Sequence, residues 1–286
     1  MTDARRRALL AGLAASPAAL LGAKPGAAQE AAAAAAGLVS SNVCLLAVEV
    51  TEGPYYLDPG LVRADIAEDR PGVPLELLVQ VVDEDCRPLA GARVDVWHCD
   101  AGGNYSGFAD QGSDAAASTE GQTFLRGTQM TDAGGLARFR TIYPGWYRGR
   151  TAHVHHKVFL DDTNVLTGQI FFPDALSQYI YDNVPPYDAR TGARDTVNAS
   201  DGIAAQAGEG AYAGLREAPG RYVASLVVGV DPASVSGAGA AGRPAGPPPD
   251  GGGHAPGAGG EAAGDDAGDG AGDGARLGAA LVPGAT

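Results

Sequence analysis

Basic residues are scarce in this 286-residue chain: 20 Lys and Arg stand against 34 Asp and Glu, a formal charge of -14. Nucleic acid or an anionic membrane surface would call for a basic patch, so both are excluded as partners. Cysteine is nearly missing too. Three cysteines permit at most one disulfide and leave one thiol over. No long apolar run exists: the stretch 8–23 is interrupted by Pro17 and falls short of the about 20 residues that a membrane-spanning helix needs. Large apolar residues almost vanish over 234–286, where Gly, Ala, Pro and Asp dominate. Such a segment cannot bury enough surface to offset its ordering entropy, and a disordered tail is expected. Its Gly/Asp pattern over 265–274 lacks the strict period of calcium-binding solenoid repeats. Amphipathic helices are lacking as well, except around 174–181.

What is present begins with an export signal over residues 1–29: Arg5-Arg6-Arg7, the short apolar run, then the small residues Gly26-Ala27-Ala28. Consecutive arginines directly before the run fit the twin-arginine route to a periplasmic or extracellular location; an ordinary secretory signal is the alternative. A spacer over 30–40 contains an alanine run. The folded domain is expected over 41–233 and the tail over 234–286. Cys86 falls in a turn before a strand and Cys99 at that strand's far end, so at about 3.3 Å per residue they lie beyond disulfide reach. Cys44 with Cys86 is the favoured pair and Cys99 a buried free thiol, with three unpaired cysteines as the alternative.

Between spacer and tail the dominant signal is alternation of period two. Residues 75–83 place Leu75, Leu77, Val79 and Val81 on one face, and 92–98 read as their antiparallel partner across a turn. Segments 124–131 and 136–142, joined by Asp132-Ala133-Gly134-Gly135, read as the clearest hairpin. Segments 153–160 and 165–172 form the next; 43–50 reads as a strand or edge segment, and 221–230 closes the sheet. Residues 173–220 read as long irregular connections. Seven or so short strands imply an all-β fold, an antiparallel β-sandwich core with long irregular loops, flanked by the signal segment and the tail.

The chemistry concentrates in Tyr143-Pro144-Gly145-Trp146-Tyr147-Arg148-Gly149-Arg150-Thr151-Ala152-His153-Val154-His155-His156-Lys157. On an extended segment His153 and His155 share a face and can grip one ion, while His156 faces away. Further ligands must come from elsewhere. A second tyrosine stands in Asp95-Val96-Trp97-His98-Cys99-Asp100-Ala101-Gly102-Gly103-Asn104-Tyr105-Ser106-Gly107, where His98 is a candidate support for the ligands. With Thr51-Glu52-Gly53-Pro54-Tyr55-Tyr56, Phe124-Leu125-Arg126-Gly127 and Thr131-Asp132-Ala133-Gly134-Gly135, these motifs resemble, in order, the intradiol ring-cleavage dioxygenases, the catechol and protocatechuate dioxygenase group. The likeness runs over residues 43–231 and is nearest to exported members.

The resemblance implies a mononuclear ferric ion, Fe(3+), ligated by Tyr105, Tyr147, His153 and His155, with hydroxide or water completing the site. Phenolate oxygen is a hard anionic donor suited to such an ion. It further implies a small catecholic aromatic substrate and O2, cleavage between the two hydroxyl-bearing carbons, and a muconate-type diacid as product. Tyr147 would leave the metal and act as base. Arg150 matches the family's active-site arginine and Gln169 a glutamine beside the site; a rim salt bridge and a sheet hydrogen bond are their plainer readings. Tyr55 and Tyr56 are candidates to line the entrance, with simple packing as the alternative. The gap from Tyr147 to His153 is shorter than in the cytosolic enzymes, and no long helical dimerisation segment precedes the domain, which leaves the oligomeric state and the pocket walls open. The rival readings are a transthyretin-like binding module without activity, and a zinc or copper site on His153 and His155.

Overall fold

The computed structural model describes residues 45–58, 60–112 and 117–238. Among them are eight strands: β1 (Pro74–Val82), β2 (Arg93–Trp97), β3 (Arg126–Met130), β4 (Leu136–Ile142), β5 (His153–Leu160), β6 (Thr163–Phe171), β7 (Gly214–Ala218) and β8 (Arg221–Gly229). Two helices, α1 (Asp174–Asn183) and α2 (Gly202–Ala207), lie between β6 and β7. The strands form two four-stranded sheets, ordered β4-β1-β8-β7 and β3-β2-β5-β6. All pairings are antiparallel except β1 with β8, which run parallel. No described helix is long and apolar enough to cross a membrane.

Alternation decides what lies between the sheets. Leu75, Leu77, Val79 and Val81 of β1, Phe139 of β4 and Ala224, Leu226 and Val228 of β8 share one buried cluster with Val94 and Val96 of β2, Val154 and Val158 of β5 and Ile170 of β6. Each fully buried aliphatic side chain here contributes about 1.5–3 kcal/mol. The odd-numbered residues His153 and His155 therefore face the other way, onto the outer surface of the second sheet. Loops cover that surface.

Several sequence expectations need correction. The 75–83 and 92–98 segments are not partners, because β1 and β2 belong to different sheets, and β3 and β4 are likewise no hairpin. The Asp132 loop does reverse the chain: its carboxylate accepts from the Gly134 and Leu136 amides. It spans from one sheet to the other, and turn chemistry does not distinguish strands that hydrogen-bond from strands that stack. The β5–β6 hairpin is present, with Asp161-Asp162 between its strands. Within 43–50, the described residues form no strand: Leu46 bridges to Gly229, and the Val50 amide donates to the Thr167 carbonyl. The connections over 173–220 contain α1, α2 and β7.

His98, just past β2, ties the sheets together. Its Nδ1 donates to the Cys99 carbonyl at 2.8 Å, leaving Nε2 to accept from Thr141 Oγ1 of β4 at 2.7 Å. Burial holds its pKa down at about 4. The neutral ring is thus the native form. Between about pH 6.5 and 4 the unfolded chain takes the proton first, and stability falls by up to about 3 kcal/mol at 1.36 kcal/mol per unit. Denaturant midpoints measured from pH 7 to pH 4 should drop accordingly, and His98→Gln should flatten that slope.

Cys86 is disulfide-bonded and Cys99 is a buried free thiol. Cys44, the favoured partner, lies outside the described residues, as do the signal segment, the spacer and the tail from residue 239. Residues 234–238, assigned to the tail on composition, are attached to the domain. Ser234 Oγ donates to the Val165 carbonyl, Ser236 N to the Asn164 carbonyl and Ala238 N to Glu49 Oε1. At about 0.5–1.5 kcal/mol net per hydrogen bond, a chain ending at Ala233 should be about 2 kcal/mol less stable to urea than one ending at Ala238.

Candidate metal centre

Four segments converge on the outer face of the second sheet. β5 supplies His153 and His155, the loop after β2 supplies Tyr105, and the β4–β5 connection supplies Tyr147 and Arg150. The fourth is the strap over 45–58, which runs across them. Tyr105 Oη lies 3.1 Å from both His153 Nε2 and His155 Nε2, Tyr147 Oη 3.2 Å from His153 Nε2, and the two imidazole Nε2 atoms 3.1 Å apart. Tyr105, His153 and His155 are each 1–2% exposed. Tyr147 is only partly buried.

The electrostatics follow from burial. It pushes the Tyr105 phenol well above 10, helped by Tyr147, and raises Tyr147 to about 12 against the pull of Arg150. It also drives both imidazoles well below 6.5; Arg150 adds to the effect at both, with His98 adding at His153 and His153 at His155. All four groups are neutral at pH 7. His153 Nδ1 faces the Thr151 carbonyl at 2.7 Å and so carries the ring proton, which leaves Nε2 a lone pair aimed into the cluster. His155 Nδ1 is buried without a partner. Either tautomer of His155 therefore leaves a polar atom unmatched.

Packing around the donors is dense. The Trp97 ring stacks on His155, with centroids 4.8 Å apart and planes 11° apart, and Tyr55 stacks on Tyr105 at 4.5 Å. Tyr56 leans on Trp97 and donates to Asp95 Oδ2 at 2.8 Å. Gly53, at φ +71°, lets the strap pass the His155 ring; a Cβ there would meet Cε1 at 3.3 Å. Arg126 joins strap to loop by donating to the carbonyls of Tyr55 and Ser106, both at 2.6 Å. The Arg150 guanidinium reaches the centre from one side: NH1 is 3.4 Å from His153 Nε2 and 3.5 Å from Tyr147 Oη, NH2 donates to Gln169 Oε1, and Nε to Asp201 Oδ2 at 2.9 Å. Gln169 in turn donates to the Thr51 carbonyl.

The structure thus gathers Tyr105, Tyr147, His153, His155 and Arg150, and places Gln169 behind Arg150. His156 stands apart, its two ring nitrogens buried without partners, and His98 contacts Thr141 rather than Tyr105. Sequence reasoning missed Asp201 and the ion pair of Lys157 with Glu52. Asp201 precedes Gly202-Ile203-Ala204, a helix-start signal that pointed to a cap but not to the site. Among the described residues no three His, Cys, Asp or Glu side chains are grouped to hold an ion; the phenols complete the donor set.

Lys157 fastens the strap. Its side chain is 7% exposed, pairs with Glu52 and sits 4.0 Å above the Tyr56 ring. Glu52→Gln strands that ammonium and should cost about 3 kcal/mol in denaturant unfolding, whereas adding Lys157→Met should restore most of the loss.

A family model described as a dioxygenase matches residues 51–205. Catechol 1,2-dioxygenase of Acinetobacter baylyi is 32% identical over 155 residues, 46% of this chain and 47% of that protein. Chlorocatechol 1,2-dioxygenase of Pseudomonas sp. (strain P51) is 34% identical over 142 residues, 42% of this chain and 53% of that one. The chain thus spans about half the length of these relatives. An intradiol ring-cleavage dioxygenase from Tetranychus urticae superposes with a TM-score of 0.62 at 33% identity, covering 68% of this chain and 98% of that structure. The chain belongs to the intradiol ring-cleavage dioxygenase family.

Proposed function

We propose that this protein is a non-haem iron(III) dioxygenase that opens catecholic rings between the two hydroxyl-bearing carbons, adding both atoms of O2 to give a muconate-type diacid. The observation that carries this reading is the convergence of two phenol oxygens and two imidazole nitrogens at 3.1–3.2 Å. Donors about 2.0–2.2 Å from one ion, at angles between octahedral and tetrahedral, lie roughly 2.9–3.5 Å apart, so the spacing fits a single metal. The two imidazole Nε2 atoms facing each other at 3.1 Å fit it too. Two phenolates favour a hard trivalent ion over zinc or copper, and a binding module would not need them.

Ferric iron, when bound, supplies the Lewis acidity that draws electron density from a catecholate ring and opens that ring to O2. Tyr105 and Tyr147 as phenolates, with one hydroxide, balance the ion's charge, which limits the cost of burying it. Tyr147, the more exposed of the two phenols, takes one substrate proton. Arg150 sets a cation beside the position where negative charge gathers on the ring, and Gln169 holds that cation in place. The names of the relatives point to catechol and chlorocatechol as substrates. Export is the companion proposal: the bonded Cys86 supports an oxidising compartment.

The test is direct. Purified protein should hold about one iron per chain, show the red colour of tyrosinate-to-iron charge transfer and take up O2 with some member of a catechol panel. Tyr147→Phe should keep its iron and bind catechol but turn over about 10²–10⁴-fold more slowly. Tyr105→Phe should hold iron less well, and His153→Ala or His155→Ala should lose it. A colourless protein with stoichiometric zinc would sink the assignment.

A further inference from the structure

We propose that Asp201 is a positioning residue, a single carboxylate that fixes both the Arg150 guanidinium and the His153 ring; this rests on the reading of the site just given. Asp201 is 2% exposed and precedes α2. Its Oδ1 accepts from the amides of Ile203 and Ala204 at 2.8 and 3.1 Å, an ordinary helix cap. Its Oδ2 serves no helix. That oxygen accepts from Arg150 Nε at 2.9 Å and from the Thr151 amide at 3.0 Å.

Both contacts lead to the centre. Arg150, with Nε held by Asp201 and NH2 by Gln169, can aim only NH1 at Tyr147 and His153. Thr151, with its amide held, offers its carbonyl to His153 Nδ1 at 2.7 Å, which fixes the ring's tautomer and turns Nε2 toward the phenols. The carboxylate is itself anchored. Ala204 and Ala207 of α2 pack on Phe171 of β6, and Asn198 joins the Thr151 hydroxyl to the Phe172 carbonyl. Capping alone would be met by Ser or Asn. A charged group with two oxygens is needed only if one of them serves Arg150 and Thr151.

The test uses Asp201→Ser and Asp201→Asn, both of which keep a cap. Iron content should stay close to wild type and the thermal midpoint should fall, because Arg150 loses its buried carboxylate partner, while kcat with catechol falls about 10²-fold, the size of a misplaced reacting group, and KM changes far less. In an Arg150→Ala background the Asp201→Ser loss should shrink to under about 10-fold, because Asp201 acts largely through Arg150. Losses that multiply independently, or a kcat within about twofold of wild type in both variants, would overturn the proposal. One readout needs no turnover: in iron-free protein the Arg150 Nε–H proton should exchange slowly with water, and in Asp201→Ser it should exchange fast. Fast exchange in wild type also overturns the proposal. A wild type inert toward every catechol defeats the functional reading instead, and the exchange measurement still decides the role of Asp201. Should Asp201→Ser fail to fold, the near-isosteric Asn variant carries the comparison.

Discussion

The convergence of two phenol oxygens and two imidazole nitrogens, in contacts of 3.1–3.2 Å, is the constraint on which the rest of this structure depends. Phenol protons can be shared among the contacts, yet two imidazole Nε2 atoms still face each other at 3.1 Å. Left to itself such a cluster would splay apart to reach water or other partners. It is held because β5, the loop after β2 and the β4–β5 connection, which carry the donors, are each anchored by contacts elsewhere. A cation at the centre would take up the facing lone pairs.

The support comes from using both faces of one sheet for different ends. Val94, Val96, Val154 and Val158 turn inward and join the sandwich core. The intervening positions Asp95, Trp97, His153, His155 and Lys157 turn outward, and each of them is buried. An outward face dense in imidazole, indole and charge needs a cover with matching chemistry, and the strap provides it: Glu52 for Lys157, Tyr56 for Asp95 and Trp97, Tyr55 for Tyr105. The strap is held in turn by Glu49, whose carboxylate accepts from Ser236 and the Ala238 amide. A segment read as tail on composition thus helps to hold the cover of the site.

Local signals were legible where local physics decides. His153 and His155 could be read as co-facial because alternation on a strand does not depend on which sheet the strand joins. The β5–β6 hairpin was legible because two aspartates between period-two runs leave few alternatives. The partition of strands between sheets was not. β1 and β2, like β3 and β4, are joined by good reversing turns, but pairing and stacking both bury the same residues, and only contacts distant in sequence choose between them. β8 beside β1 is such a contact, with almost the whole domain between its partners. Asp201 was illegible for another reason: a lone acidic residue before a six-residue helix signals a cap, and nothing in its neighbourhood names Arg150, 51 positions away.

The two tyrosines differ in a way that their spacing in the sequence could not show. Tyr105 is closed in, with Tyr55 stacked over its ring, its amide bonded to Gln111 and its carbonyl accepting from Thr119. Tyr147 opens a turn: the Arg150 amide donates to its carbonyl, Gly149 sits at φ +78°, and Arg148 and Gly149 are exposed. The Tyr147 side chain is partly exposed, whereas the Tyr105 ring is buried. The far end of the turn is fixed, because Arg150 and Thr151 are both held by Asp201. Under the proposed chemistry, a phenol that leaves the centre on such a turn would take its proton away from the donors while the cation stayed behind. A partly exposed phenol at Tyr147 and a fixed cation at Arg150 are then two ends of one four-residue turn.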